Sequence, residues 1–265
     1  MSKRLNARQN RLTNETWDRY SVDVEPVQIP QSPIVAAVQF NPTLLDVQKN
    51  LATGLQLTFE AAGKGARVVV LPELCTSGYA LNSPSEAMSC AQERDGYQTE
   101  AFSALARRFN CHIVFGYVEL REGKLYNSAA IVGPRGLEGN AQKHNLWGPE
   151  NLWCESSEAM APVVLTGAGR LGVLICRDVI NRYRESYRFF KNEQRFYRRG
   201  NVDTIALLTN WGKDYGYPDS SWVELAEEVS SNVIVSNRVG KERDLEWKGG
   251  SCVVDRTKHV WSNGS

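Results

Sequence analysis

The chain has 265 residues, a formal net charge of +1, 42% hydrophobic residues and 23% charged residues. That length and composition describe a globular chain able to bury a sizeable core without disulfides or metals. Near-neutrality excludes a whole-molecule field that draws in nucleic acid or an acidic partner, and no apolar run reaches the ~18 residues that suggest a membrane span.

Residues 1–32 are polar, carry no sustained apolar period and lack the apolar centre of a signal peptide. They read as an N-terminal arm, flexible or wrapped on a neighbouring subunit, on a soluble cytoplasmic protein. From residue 33 to 265 one domain is expected. IVAAVQF (34–40) is a short apolar run of the kind that forms a buried strand. Residues 46–62 have apolar positions at helical spacing, RVVVLPE (67–73) is a β-branched strand closed by Pro72, and 98–109 is a second helix. HIVFGYVEL (112–120) and LYNSAAIVG (125–133) form a hairpin around Glu122, Gly123 and Lys124.

The second half repeats this order. GRLGVLICRD (169–178) is a strand, 182–199 a helix, VDTIALLTNW (202–211) a strand, and 220–231 a helix. NVIVSNRVG (232–240) and GGSCVVD (249–255) are two further strands. Two similar halves, each with buried strands and flanking helices, predict an α+β four-layer α-β-β-α sandwich.

Reactive side chains in α/β sheets gather at the carboxyl ends of strands. Glu73 leaves an apolar strand there, either as a partly desolvated general base or as an ordinary strand-end acid facing water. Six cysteines, at 75, 90, 111, 154, 176 and 252, form no C-x-x-C pair, so a zinc ribbon or redox motif is not expected. The base-rate reading for each is a buried free thiol. Cys176 differs because it ends a strand before a tight turn and is followed by Arg177 and Asp178, a placement that suits a nucleophile. AQKHNLWGPENLW (141–153) links the halves and holds Lys143, His144 and Glu150. It is either a solvated linker or the source of a lysine that favours a thiolate and steadies a negative oxygen.

The order of these segments, LPELCTSGY around Glu73, KHNLWGPE around Lys143 and LGVLICRD around Cys176, resembles the nitrilase superfamily. NW (210–211), NRVG (237–240) and GGSCVVD (249–255) add to the likeness, which spans roughly residues 34–262. The resemblance implies the same α-β-β-α sandwich and a Glu73–Lys143–Cys176 triad. Cys176 would attack an amide, N-carbamoyl or nitrile carbon and form a thioester. Lys143 and the Arg177 backbone N–H would hold the oxyanion, and Glu150 would position the lysine or the substrate. Tyr79, Trp147, Arg177 and Trp211 lie beside the matched motifs and are expected in the substrate pocket, with core packing as the other reading of the aromatics.

No metal and no cofactor are expected, and the partner is a small-molecule amide or nitrile. Family members often dimerise, so a homo-oligomer is expected, with no membrane association. The chain departs from the family after Cys176, where a Pro-Glu pair is replaced by the basic, aromatic stretch 182–199. That stretch reads as an amphipathic helix with solvated arginines, as a subunit interface, or as a surface for nucleic acid or an acidic partner. A non-catalytic scaffold on the same fold is the competing functional class. A Cys-His protease is disfavoured, because no papain- or caspase-like signature surrounds Cys176.

Overall fold

The computed structural model describes residues 33–179, 197, 202–214 and 218–262. The N-terminal arm 1–32 and, apart from Tyr197, the predicted helix 182–199 lie outside them. The first half runs β1 (Val35–Ala37), α1 (Val47–Gly63), β2 (Val68–Val70), α2 (Pro84–Cys90), α3 (Tyr97–Phe109), β3 (His112–Arg121), β4 (Lys124–Gly133) and β5 (Gly136–Gln142). Helix α1 starts at Asp46, whose carboxylate accepts the Lys49 N–H, and it buries Leu51, Gly54, Thr58 and Ala62 at helical spacing. Ser83 caps α2 in the same way, with Pro84 pre-set at the first turn. The hairpin loop is shorter than the sequence indicated. Only Glu122 and Gly123 lie outside the strands, both at positive φ (52° and 77°), as a two-residue I′ turn needs.

The second half runs β6 (Val164–Thr166), β7 (Gly169–Ile175), β8 (Thr204–Thr209), α4 (Ser220–Val229), β9 (Asn232–Asn237), β10 (Val239–Glu242), β11 (Leu245–Lys248), β12 (Cys252–Val254) and β13 (Val260–Trp261). One sheet has the order β1-β2-β3-β4-β5 and the other β13-β12-β9-β8-β7-β6. The internal repetition is visible in the pairing. β1, β2 and β3 are mutually parallel and then β4 and β5 reverse. β7, β8 and β9 are likewise parallel and then β12 and β13 reverse.

Alternation along the strands builds the layers. Val68, Val70, Val114, Ala129 and Ile131 share one apolar core with Leu171, Val173, Ile205 and Leu207 of the other sheet. The intervening Val69, Ile113, Phe115, Ala130 and Val132 pack with Leu51, Phe102 and Ala106 of α1 and α3. On the far side, α4 buries Trp222, Leu225, Ala226 and Val229. Each fully buried valine, leucine, isoleucine or phenylalanine among these contributes about 1.5–3 kcal/mol relative to exposure.

The elements α2, β5 and β6 and the β10–β11 ribbon were not expected from the sequence. The predicted strand 232–240 breaks at Arg238, because the chain leaves the sheet there to enter the ribbon. Among the described residues no helix is long and apolar enough to cross a membrane.

Candidate active site

Four strand ends converge. Glu73 follows β2, Lys143 follows β5, Cys176 follows β7 and Asn210 follows β8. Two of these come from each half.

Glu73 sits in a turn that presses against the middle of β3. A Cβ on Gly116 would lie 2.4 Å from the Leu74 nitrogen and 2.7 Å from the Pro72 carbonyl, so only glycine lets the turn approach. The glutamate is fully buried rather than facing water. Its Oε1 accepts from Lys143 Nζ at 2.6 Å and from Asn127 Nδ2 at 2.8 Å, and its Oε2 accepts from Asn210 Nδ2 at 3.0 Å. Lys143 is also fully buried, which rules out the solvated-linker reading. Its Nζ reaches both oxygens of Glu150, at 2.9 and 2.8 Å.

Glu150 lies in the 3-10 turn Gly148–Leu152. Its Oε2 accepts from the Trp147 N–H at 2.7 Å and from the Tyr79 hydroxyl at 3.3 Å. Asn127 Nδ2 bridges the two carboxylates, donating to Glu150 as well as Glu73. The site therefore encloses two carboxylates, one ammonium and two side-chain amides away from water.

The electrostatics follow. Burial alone would lower the Lys143 ammonium, but Glu150 and Glu73 outweigh it and hold the group well above the usual lysine value. Burial pushes the Glu150 carboxyl up, Glu73 adds to this, and Lys143 opposes it.

Cys176 opens the 3-10 turn Cys176–Val179 at φ 48°, in the left-handed region that a residue with a Cβ rarely occupies. Burial and then the Glu73 charge push its thiol well above the usual value, against the opposing pull of Lys143 and the Asn210 backbone N–H. Lys143 thus pulls toward the thiolate, as expected, but burial and the Glu73 charge outweigh it. Two residues on, Asp178 Oδ1 accepts the backbone N–H groups of His144 (3.1 Å) and Asn145 (2.8 Å), tying the cysteine turn to the loop after Lys143.

A cavity of about 240 Å³ opens beside the sulfur. Tyr79, Trp147, Arg177 and Trp211 all line it together with Cys176. Glu73, Lys143 and Glu150 are buried outside that lining. Trp247 and its neighbours on the β10–β11 ribbon supply a wall that the sequence did not reveal. Asn127 and Gly116 were also missed. The signal for Asn127 was a lone amide within the apolar run LYNSAAIVG. Among the described residues no group of His, Cys, Asp and Glu is arranged to hold a metal.

This fold and this buried cluster define a class, and comparison with known proteins places the chain in it. The chain belongs to the carbon-nitrogen hydrolase family, whose model matches residues 34–260. It is 33% identical over 232 residues to a nitrilase from Pyrococcus abyssi, covering 87% of this chain and 84% of that one. An amidase from Nesterenkonia sp. has the same fold, with a TM-score of 0.71 at 22% identity over 88% of this chain and 86% of that chain. A glutamine-dependent NAD+ synthetase from Acinetobacter baumannii is similar at TM-score 0.69 and 26% identity, over 84% of this chain but only 41% of the synthetase. The protein is thus an enzyme of the carbon–nitrogen hydrolase type.

Proposed function

We propose that this hydrolase cleaves a small non-peptide amide or N-carbamoyl compound through a thioester on Cys176, with nitriles a lesser substrate class. The observation that carries the reading is the enclosed ion cluster behind the sulfur. Lys143 Nζ lies 2.6 Å from Glu73 and 2.8 Å from Glu150, and the charges of Glu73 and Lys143 both act on the Cys176 thiol.

In this mechanism Glu73 takes the thiol proton as the sulfur attacks the carbonyl carbon. A neutral Glu73 pairs less strongly with Lys143, so the ammonium's field becomes available to the oxyanion, together with the Arg177 backbone N–H. The tetrahedral intermediate collapses, the C–N bond breaks, and the Glu73 proton leaves on the amine. A water then gives its proton to Glu73 and attacks the thioester. Collapse of the second intermediate releases the acid, and the sulfur recovers its proton. Glu150 touches no reacting atom in this scheme. It is a positioning residue that fixes the lysine, while Tyr79, Trp147, Arg177 and Trp211 bound the substrate.

The high thiol value supports concerted base catalysis rather than a preformed thiolate. The test is ammonia release from a panel of small amides, N-carbamoyl compounds and nitriles, with Cys176→Ala as control. Turnover of an amide that disappears in the folded variant is the expected result. Hydrolysis retained by Cys176→Ala would refute the assignment.

A further inference from the structure

The cavity wall on the ribbon is held by a buried ion pair that the chemistry above does not use. Arg238, fully buried at the end of β9, donates to Glu242 on β10. Its other donors reach Asn41 Oδ1 at 2.8 Å and the Pro42 carbonyl at 3.1 Å, and its guanidinium lies 4.2 Å from the centre of the Trp247 ring. The second oxygen of Glu242 accepts two successive backbone N–H groups, those of Tyr79 (2.8 Å) and Ala80 (2.9 Å). Gly78 passes so close, at φ +81°, that a Cβ there would sit 2.7 Å from the same carboxylate. One pair therefore grips both aromatic walls. Glu242 fixes the backbone that carries Tyr79, and Arg238 supports the face of Trp247. The two rings meet edge to face at 5.9 Å, and the Trp247 indole N–H is anchored on the Asn210 carbonyl at 2.8 Å.

We infer that Arg238 and Glu242 are positioning residues that set substrate selectivity, by fixing the Tyr79–Trp247 wall of the cavity against the part of the substrate beyond the reacting carbon. Neither residue bonds the triad directly. Glu73, Lys143 and Glu150 are held by one another, by Asn127, by Asn210 and by the Trp147 N–H, and the wall adds only the longer contact of the Tyr79 hydroxyl with Glu150 at 3.3 Å. Loss of the pair therefore acts first on binding of large groups, while the charge contacts keep Glu73 and Lys143 in place. This inference rests on the reading of the cavity as the substrate site.

The experiment measures inactivation of Cys176 by iodoacetamide and by N-benzyl iodoacetamide, resolving KI from kinact for each. In Glu242→Gln the KI of the benzyl reagent should rise about tenfold, the scale of a lost pocket contact, while its kinact and both constants of iodoacetamide stay within about twofold. That substitution leaves Arg238 buried without a countercharge, so the double variant Arg238→Met, Glu242→Gln covers a failure to fold, and the same KI change is expected. Equal losses in kinact for both reagents, or an unchanged benzyl KI in either folded variant, would overturn the inference and leave the catalytic assignment standing. A wild-type protein that takes both reagents with the same KI would instead sink the reading of the cavity, and this inference with it.

Discussion

Replacing Lys143 by methionine tests the buried cluster most directly. The ammonium hydrogen-bonds two carboxylates, and all three groups have no exposed surface. Methionine fills much of the same volume but leaves Glu73 and Glu150 facing each other with only neutral donors. Breaking a buried pair from one side costs about 3–5 kcal/mol, because a charge remains without its partner. The loss should depend on pH. Burial and Glu73 raise the Glu150 carboxyl, and Lys143 is the charge that opposes them. Without it the carboxyl rises further, so the folded variant binds a proton that the unfolded chain releases. Stability then increases as pH falls toward the unfolded carboxylate value, by up to about 1.4 kcal/mol per pH unit. Urea unfolding followed by tryptophan fluorescence, for wild type and variant at neutral and mildly acidic pH, measures both quantities. A deficit below about 1 kcal/mol, or one that does not shrink on acidification, would refute the reasoning.

Other outcomes follow from the same geometry. Glu73→Gln removes the charge that raises the Cys176 thiol while Lys143 stays, so thiolate ultraviolet absorbance should appear at lower pH than in wild type even as turnover is lost; an unchanged titration would contradict the assigned coupling. Lys143→Ala should lower kcat by ~100-fold or more, as loss of an oxyanion donor does elsewhere, measured by steady-state kinetics. Gly116→Ala drives a methyl into main-chain atoms on both sides of Glu73, so it should cost about 1–3 kcal/mol and depress kcat; wild-type stability together with wild-type turnover would show that the turn yields easily. Burial pushes the Cys75 thiol up to about 12 from an ordinary value of 9.0, so the folded state keeps a proton that the unfolded chain loses above about pH 9, and stability falls with rising pH. Between about pH 8 and pH 10 that thiol accounts for about 1 kcal/mol of lost stability, which Cys75→Ala should abolish in denaturant titrations.

The buried strands and the repeated halves were legible because each depends on a local pattern. The valines of β2 and the run LGVLI before Cys176 announce themselves by composition alone. The three central site residues were legible only together. Taken singly, Glu73 and Lys143 read more readily as surface groups, since burial of a charge depends on partners far along the chain. Asn127 and Asn210, which supply the amides, are 54 and 137 residues from Glu73 in sequence. No window of the sequence contains that relation. The ribbon escaped for a different reason. GKERDLEWKGG is polar, and its strands are held through one buried arginine and one tryptophan rather than by an alternating apolar face. The short strand β5, GLEGNAQ, carries no β-branched residue at all and pairs because β4 offers it an edge.

The seam on which the site is built has its own consequence. Glu73 and Lys143 come from the first sheet, and Cys176 with Asn210 comes from the second, so neither sheet alone assembles the cluster. On the mechanism proposed above, parting of the two layers would carry the sulfur away from its proton acceptor, so turnover belongs to the closed molecule and to neither layer by itself.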